Sequence, residues 1–283
     1  MYDNSLGPLT LPHPCYTHTV PTSTNTFGTQ LRTWRQKRRL SQLHLALDAG
    51  ISARHLSFLE TGRSRPSRDM VLLLAEQLRL PLREQNALLL AAGFAPSYGE
   101  QPFDAPELDA VRDAVDLVLA NHEPFPALAV NRRWDVLRSN QGAGVLIEGI
   151  APFLLGPPLN VYRASLHPEG LRRRILNFEH FAGALLSQLR RDAEASADPE
   201  LSELLNEVEN YPALQRQDRR SPPPSYVVQP LQLRSSLGTL SFITTIATFG
   251  TPYHTTVAEL AIESFFPADA ATAQRLRAAT VPA

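Results

Sequence analysis

Residues 40–68 constrain this chain more than any other stretch. Ser41 is placed to cap a helix whose apolar positions are Leu43, Leu45, Ala46 and Leu47. Gly50 follows, where a tight reversal resists a residue with a Cβ. Ser52 is placed to cap a second helix, with Leu56 and Leu59 at i and i+3 turned inward. Thr61-Gly62 then supplies a left-handed stop. Two short helices joined by a glycine turn form a helix-turn-helix, a unit whose second helix can enter the DNA major groove. The competing reading is an ordinary pair of antiparallel helices inside a helical domain.

Charge favours the first reading. The chain carries a formal net charge of −1, but it is unevenly spread. Residues 27–95 hold eleven Lys/Arg and five Asp/Glu, a net of +6; residues 1–26 hold only Asp3; from Pro96 onward sixteen basic against twenty-two acidic residues give −6. Positive charge therefore coincides with the helix-turn-helix, as phosphate contact requires.

On the second helix, Ala53, Arg54, Ser57 and Phe58 fall away from the Leu56/Leu59 stripe, with His55 beside them; these are the candidate base-reading positions. Arg54 leads, since a guanidinium can bond O6 and N7 of one guanine together, although contact with phosphate alone is the open alternative. Ala53 suits a thymine methyl, His55 equally suits packing, Phe58 equally suits the core, and Glu60 suits a structural ion pair better than a base contact. Arg63, Arg65, Ser67 and Arg68 follow in a loop spaced to lie along the phosphates, and Arg38 on the polar side of the preceding helix is a further phosphate candidate.

That preceding helix is expected over 27–39, with Phe27, Leu31 and Trp34 at i, i+4 and i+7 facing inward. A fourth helix is expected over 68–79 with Met70, Leu73, Leu74 and Leu78 inward, and a fifth over 83–92. The set Ser41-Gln42, Leu45-Ala46, Gly50, Ser52, Leu56-Ser57, Glu60, Gly62 and Pro66 resembles the repressor-like helix-turn-helix of the xenobiotic-response-element (Cro/C1-type) regulators. The resemblance implies that Gln42 bonds a phosphate beside its helix N-terminus. Arg39 stands where such regulators usually place a glycine, so Arg39 is expected either to adopt a left-handed conformation at some strain or equally to place one more charge near phosphate. The run from Ile51 to Leu78, with Pro81 to Pro96 after it, resembles more specifically the regulators that carry an MmyB-like ligand-binding domain.

Residues 1–26, rich in Pro, Ser and Thr, read as a disordered tail, and 96–106 as a linker. Beyond it, 107–283 mixes helices and strands. A helix is expected over 107–121 with Leu108, Val111, Val115, Val118 and Leu119 as its stripe; strands flank a turn at Asn131-Arg132-Arg133, and Asn140 opens a further helix. The longest helix is expected over 169–195, another from Asp198 to about Val208, and a last amphipathic turn over 269–278. Strands are expected over 226–234, 239–249 and 256–266, with Glu259 and Glu263 on a solvent-facing side. The strand–turn–strand–Asn opening resembles a PAS-like sensor, and the strands near 239 and 261 again resemble the MmyB-like domain.

The expected fold class is thus mixed: a five-helix helix-turn-helix domain over 27–95, then a PAS-like α+β domain with an antiparallel sheet of about five strands. Its pocket candidates are Trp134, Phe178, Phe181 and Leu185 from the first half, and Tyr226, Phe242 and Ile246 from the second; His180 and Tyr226 are candidates for a polar head group. For each large apolar residue plain core is the favoured reading over ligand wall. The resemblance implies a small, mostly apolar, fatty-acid-like ligand.

No nucleophile motif, phosphate-binding glycine loop or metal-ligand spacing occurs among the eight histidines and the single Cys15, so neither an enzyme nor a cofactor or metal site is expected. One cysteine permits no intrachain disulfide, and no apolar run nears the roughly 18 residues of a membrane span. With no signal-peptide pattern, the chain is expected in the cytoplasm. It is expected to act as a homodimeric regulator binding a double-stranded operator. The alternatives are a C-terminal domain serving only dimerisation or protein partners, and an enzyme carrying a helix-turn-helix.

Overall fold

The computed structural model describes residues 26–196, 198–212, 214, 230–250 and 252–280. The expected tail up to residue 25, the proline-rich loop at 221–225 and Tyr226 therefore lie outside the described residues. The chain forms two compact units: one runs to Leu78 and includes Ala91–Gly93, the other comprises Arg79–Leu90 and the chain from Phe94 onward.

In the first unit, helix α1 (Phe27–Lys37) starts where the Thr26 hydroxyl accepts the Thr29 N–H, and it buries Phe27, Leu31 and Trp34 as expected. Gly28 lets α1 approach the backbone ahead of it: a Cβ there would lie 2.5 Å from the Glu60 carbonyl oxygen. Arg39 reverses the chain at φ +55°, the left-handed position expected of it. Helix α2 (Gln42–Asp48) is capped by Ser41 and buries Leu45 and Ala46. Leu43 and Leu47 depart from the expected stripe; they are 60% and 66% exposed. They lie at i and i+4, about 200° around the helix from Leu45, so both cannot share its face.

Gly50 turns the chain at φ +66° into helix α3 (Ala53–Glu60), capped by Ser52 and buried through Leu56 and Leu59. Gly62 at φ +72° ends it. Helix α4 (Arg68–Gln77) buries Val71, Leu74 and Ala75, with Leu78 after it. Met70 and Leu73, expected inward, are half-buried because the stripe runs one residue later around the helix. All these helices except α1 start on a serine, and Ser67 caps α4 by accepting the Met70 N–H.

Helix α5 (Leu82–Ala91) belongs to the second unit up to Leu90. Its Asn86 is buried and takes up the following loop: its amide donates to the Tyr98 carbonyl and its oxygen accepts the Ser97 and Tyr98 N–H groups. After a turn at Pro106–Leu108 comes α6 (Asp109–Asn121), shorter at its start than expected, with Val115 and Leu119 buried and Val118 exposed. Strands β1 (Ala127–Val130) and β2 (Val136–Ser139) flank the expected turn. Short helices α7 (Gly144–Ile147), α8 (Pro152–Leu155) and α9 (Val161–Leu166) follow.

The single long helix expected over 169–195 is broken. Leu171 to Arg173 form one tight turn, and α10 spans Phe178–Ser196. Between them Ile175 bridges to Leu233, and the Asn177 side chain donates to the Pro230 carbonyl and accepts the Gln232 N–H. Pairing with a strand thus replaces the helical turn there. Helix α11 (Pro199–Glu209) starts on Asp198. Strands β3 (Leu231–Ser235) and β4 (Gly238–Thr248) form a hairpin. The expected strand over 256–266 is instead helix α12 (Thr255–Ala258) followed by β5 (Ala261–Pro267), and α13 (Ala270–Thr280) closes the described chain.

The five strands form one antiparallel sheet in the order β2-β1-β5-β4-β3. Both faces are covered near its centre. Ala127, Ala129 and Ile262 share a face and pack with Val115 and Leu119 of α6. Leu128, Val130, Phe242 and Phe265 lie on the other face, in one core with Tyr162 of α9 and with Ala182, Leu186 and Leu189 of α10. This second layer defines the interior of the unit.

Candidate DNA-reading surface and ligand chamber

The DNA-reading candidates sit on a frame held by one ion pair. Arg35 of α1 donates from Nε and Nη2 to the two carboxylate oxygens of Glu60, at 2.6 and 2.9 Å, and from Nη1 to the Leu40 carbonyl. Gln42 of α2 donates to Glu60 Oε2 at 2.8 Å. Glu60, on α3, therefore ties three helices together, the structural role expected of it. Gln42, the phosphate candidate, spends one of its two amide N–H groups on this bond.

Around this frame Arg54 is exposed, and its guanidinium lies over the Phe58 ring at 5.3 Å; Arg63 lies over the same ring at 5.9 Å. Phe58 is thus half-buried beneath two cations rather than in the core. Ala53, His55 and Ser57 are half-buried too, and the backbone of His55 closes the Ser52 cap. Arg65 and Arg68 are exposed, whereas Ser67 is engaged as the cap of α4. Arg38 donates to the Leu78 carbonyl and stacks on Trp34, so it braces α1 against the end of α4.

In the second unit, Trp134 is held at φ +63°, a conformation bulky residues resist. The turn is fixed from several sides: Asn131 Oδ1 accepts the Arg133 and Asp135 N–H groups, and the Asn160 amide donates to the Arg133 carbonyl. The turn aims the buried indole inward, where Nε1 donates to Asp192 of α10 and the ring meets Tyr162 edge-on at 5.6 Å. Burial pushes the Asp192 carboxyl up, against the hydrogen bonds from Trp134 and Gln188.

Glu263 overturns the expectation of a solvent-facing pair. In register it stands beside Leu128 on β1 and Ile246 on β4, on the interior face. Alternation identifies residues that share a face, but not which face is covered. Glu263 Oε2 and the Tyr162 hydroxyl are both fully buried and without a hydrogen-bond partner among the described residues. Burial pushes the Glu263 carboxyl up to about 7. The Tyr162 hydroxyl is raised by burial first, then by the charges of Asp192 and Glu263, with Arg191 opposing.

The other pocket candidates divide. Phe242 is fully buried, and Phe178, Phe181 and Leu185 pack half-buried against the interior core. His180 is exposed. Ile246 is 53% exposed although its strand position faces inward, and Thr244 and Thr248 on the same face are exposed as well. The interior face of β4 is therefore open where it passes Glu263. Neither Glu263 nor Tyr162 carried a sequence signal for this role, since each reads as an ordinary strand or helix residue until its neighbours are known.

A pH effect follows. In the folded chain Glu263 holds a proton that the unfolded carboxyl, near about 4.3, has already lost. Stability should fall as pH rises from there through about 7 and then level off. Glu263→Gln removes that loss and should stabilise the protein at pH 8 by on the order of 2 kcal/mol, with no gain below pH 4. Melting curves of both proteins across this range test it; parallel profiles would mean that Glu263 is not buried in its charged form.

No helix among the described residues is long and apolar enough to cross a membrane. A helix-turn-helix family model matches residues 31–85, and the model of the MmyB-like transcription regulator ligand binding domain matches residues 111–279. Among curated proteins, no relative matches the chain. The capped helix pair, the five-stranded antiparallel domain after it and the span of these two matches have one consequence: the chain belongs to the MmyB-like transcription regulators, DNA-binding proteins with a helix-turn-helix ahead of a ligand-binding domain.

Proposed function

We propose that this regulator reads a specific operator through residues 53–58 and changes its operator affinity when a small, mostly apolar molecule enters the second unit. The observation that carries the DNA half is the unspent cation on α3: Arg54 is exposed and makes no ion pair among the described residues, and its stack on Phe58 pre-orients it. Arg63, Arg65 and Arg68 supply phosphate contact beside it, and Gln42 does so through its remaining amide N–H. Two copies would present α3 to half-sites about one helical turn apart.

The ligand half rests on the open interior face at Ile246. A ligand lodged there bears on Trp134 and Tyr162. The same turn that carries Trp134 carries Arg132 and Arg133 on its outer side. Arg132 pairs with Asp198 at 2.8 Å and with Glu259 at 3.5 Å, and Glu259 accepts from Arg83 of α5 at 2.8 Å. Movement of the turn is thereby passed to α5, the helix that follows the DNA-binding helices in the chain. The ligand shifts operator affinity only by the difference in its affinity for the two states.

The test starts from selection of bound sequences out of a random pool. Arg54→Ala should relax discrimination at one base position by about 1–3 kcal/mol. Arg65→Ala should weaken all sequences alike and lower the salt slope by about one charge. Equal weakening of every sequence by Arg54→Ala would instead make Arg54 a phosphate contact.

A further inference from the structure

Buried acids in an apolar interior need a reason to be there. A carboxyl group without a partner loses its hydration and gains nothing in exchange. Glu263 is in that position: leucine and isoleucine flank it across the sheet, and no basic side chain among the described residues pairs with it. Tyr162 adds a second partnerless polar atom in the same interior. Asp192 adds a second acid, engaged by Trp134 and Gln188. The Trp134 and Tyr162 rings supply aromatic surface in the same interior, with Trp134 bonded to Asp192. Beside Glu263, Ile246 leaves the interior face of β4 open.

Arg191 lies beside Asp192 and donates to Gln188, which leaves Glu263 as the acid without a compensating cation among the described residues; that acid and two aromatic rings are complementary to a positive charge. An ammonium group satisfies a carboxylate by charge and by N–H donation, its remaining N–H groups can be accepted by a hydroxyl, and it is attracted to tryptophan and tyrosine faces. A carboxylate head in the same place would meet Glu263 and Asp192 as like charges. Resting on the ligand-sensing reading above, we propose that the chamber over β4 and β5 takes an apolar molecule bearing a protonated amine, whose ammonium group donates to Glu263 and Tyr162 beside the Trp134 ring. The apolar remainder lies along Phe242 and Phe265 and leaves past Ile246.

Three probes of one chain length separate head group from tail: decylamine, decanol and decanoate, each titrated calorimetrically into the full chain near pH 8 below its micelle-forming concentration. Decylamine should bind at least roughly tenfold more tightly than decanoate. Glu263→Gln, which is expected to fold at least as stably as the parent, should weaken decylamine roughly ten- to a hundredfold, the range of one charge-assisted hydrogen bond, and leave decanol within about threefold. Tyr162→Phe should weaken decylamine less and in the same direction. Decanoate binding as tightly as decylamine, or decylamine binding unchanged by Glu263→Gln, overturns the amine assignment while leaving ligand sensing intact. If none of the three binds, ligand sensing at this chamber falls with it.

Discussion

Glu60→Ala is expected to destabilise the first unit by about 3–5 kcal/mol, the usual consequence of stranding a buried charge. Side chains in this pair are 10% exposed at Arg35 and 2% at Glu60, so water cannot replace the lost carboxylate. Hydrogen bonding to Glu60 raises the hold of Arg35 on its proton against the opposing effect of burial. Without Glu60 only burial acts, but a guanidinium keeps its proton in proteins, so the charge is left stranded. The same substitution releases Gln42. Urea denaturation followed by helix content measures the loss. Replacing both partners, Arg35→Met with Glu60→Leu, should recover much of the stability, because the penalty lies in the stranded charge and not in the missing attraction. The Leu40 carbonyl would still lose its Arg35 donor, so recovery stays incomplete by about 1 kcal/mol. A single Glu60→Ala loss below about 1 kcal/mol would show that the pair is open to water in solution.

This pair also shows why the first unit can be read along the chain and the second cannot. Ser41, Ser52, Gly50, Gly62 and Arg39 act on backbone within a few residues of themselves, as caps or left-handed turns, and the structure has each in that role. Local signals fail where both sides of a short helix are apolar: Leu43 and Leu47 look like core from spacing alone, yet face solvent. They fail more widely in the second unit, whose decisive partners are distant. The break before α10 comes from Asn177 bonding to residues more than fifty positions away, which helical periodicity through Leu171, Ile175 and Phe178 cannot register. Glu263 departs from the solvent-facing expectation for a related reason. Its strand is covered on both faces, so polarity no longer marks the outside.

The second large effect is expected at Asp198. Its side chain is 0% exposed, with Oδ2 within 2.8 Å of Arg132 and 3.0 Å of Arg133. Its Oδ1 accepts the Glu200 N–H and so caps α11. Asp198→Ala removes a helix cap worth about 1 kcal/mol. It also removes two charge-assisted bonds, in part taken over by Glu200 at Arg133 and by Glu259 at Arg132. The second unit should lose about 3 kcal/mol in total. Asp198→Asn separates the two parts, because asparagine caps as well as aspartate but carries no charge; it should lose only the ion-pair share. Burial alone would push the Asp198 carboxyl up, but the Arg133 hydrogen bond, the Arg132 charge and the Glu200 N–H outweigh it and hold the carboxyl below the ordinary range. The stabilisation is therefore present above the unfolded value of about 3.9 and is lost as pH falls through the lower folded value. Parent and Asp198→Ala should accordingly approach each other in acid to within the cap's share of about 1 kcal/mol, and a gap that keeps its full size there would mean that the ion pairs contribute nothing. Function should change with it. Freed from Asp198, Arg132 and Arg133 no longer hold the outer side of the Trp134 turn, so ligand binding should survive while its effect on operator affinity shrinks. Loss of binding together with loss of response would instead mean that Asp198 shapes the chamber and relays nothing.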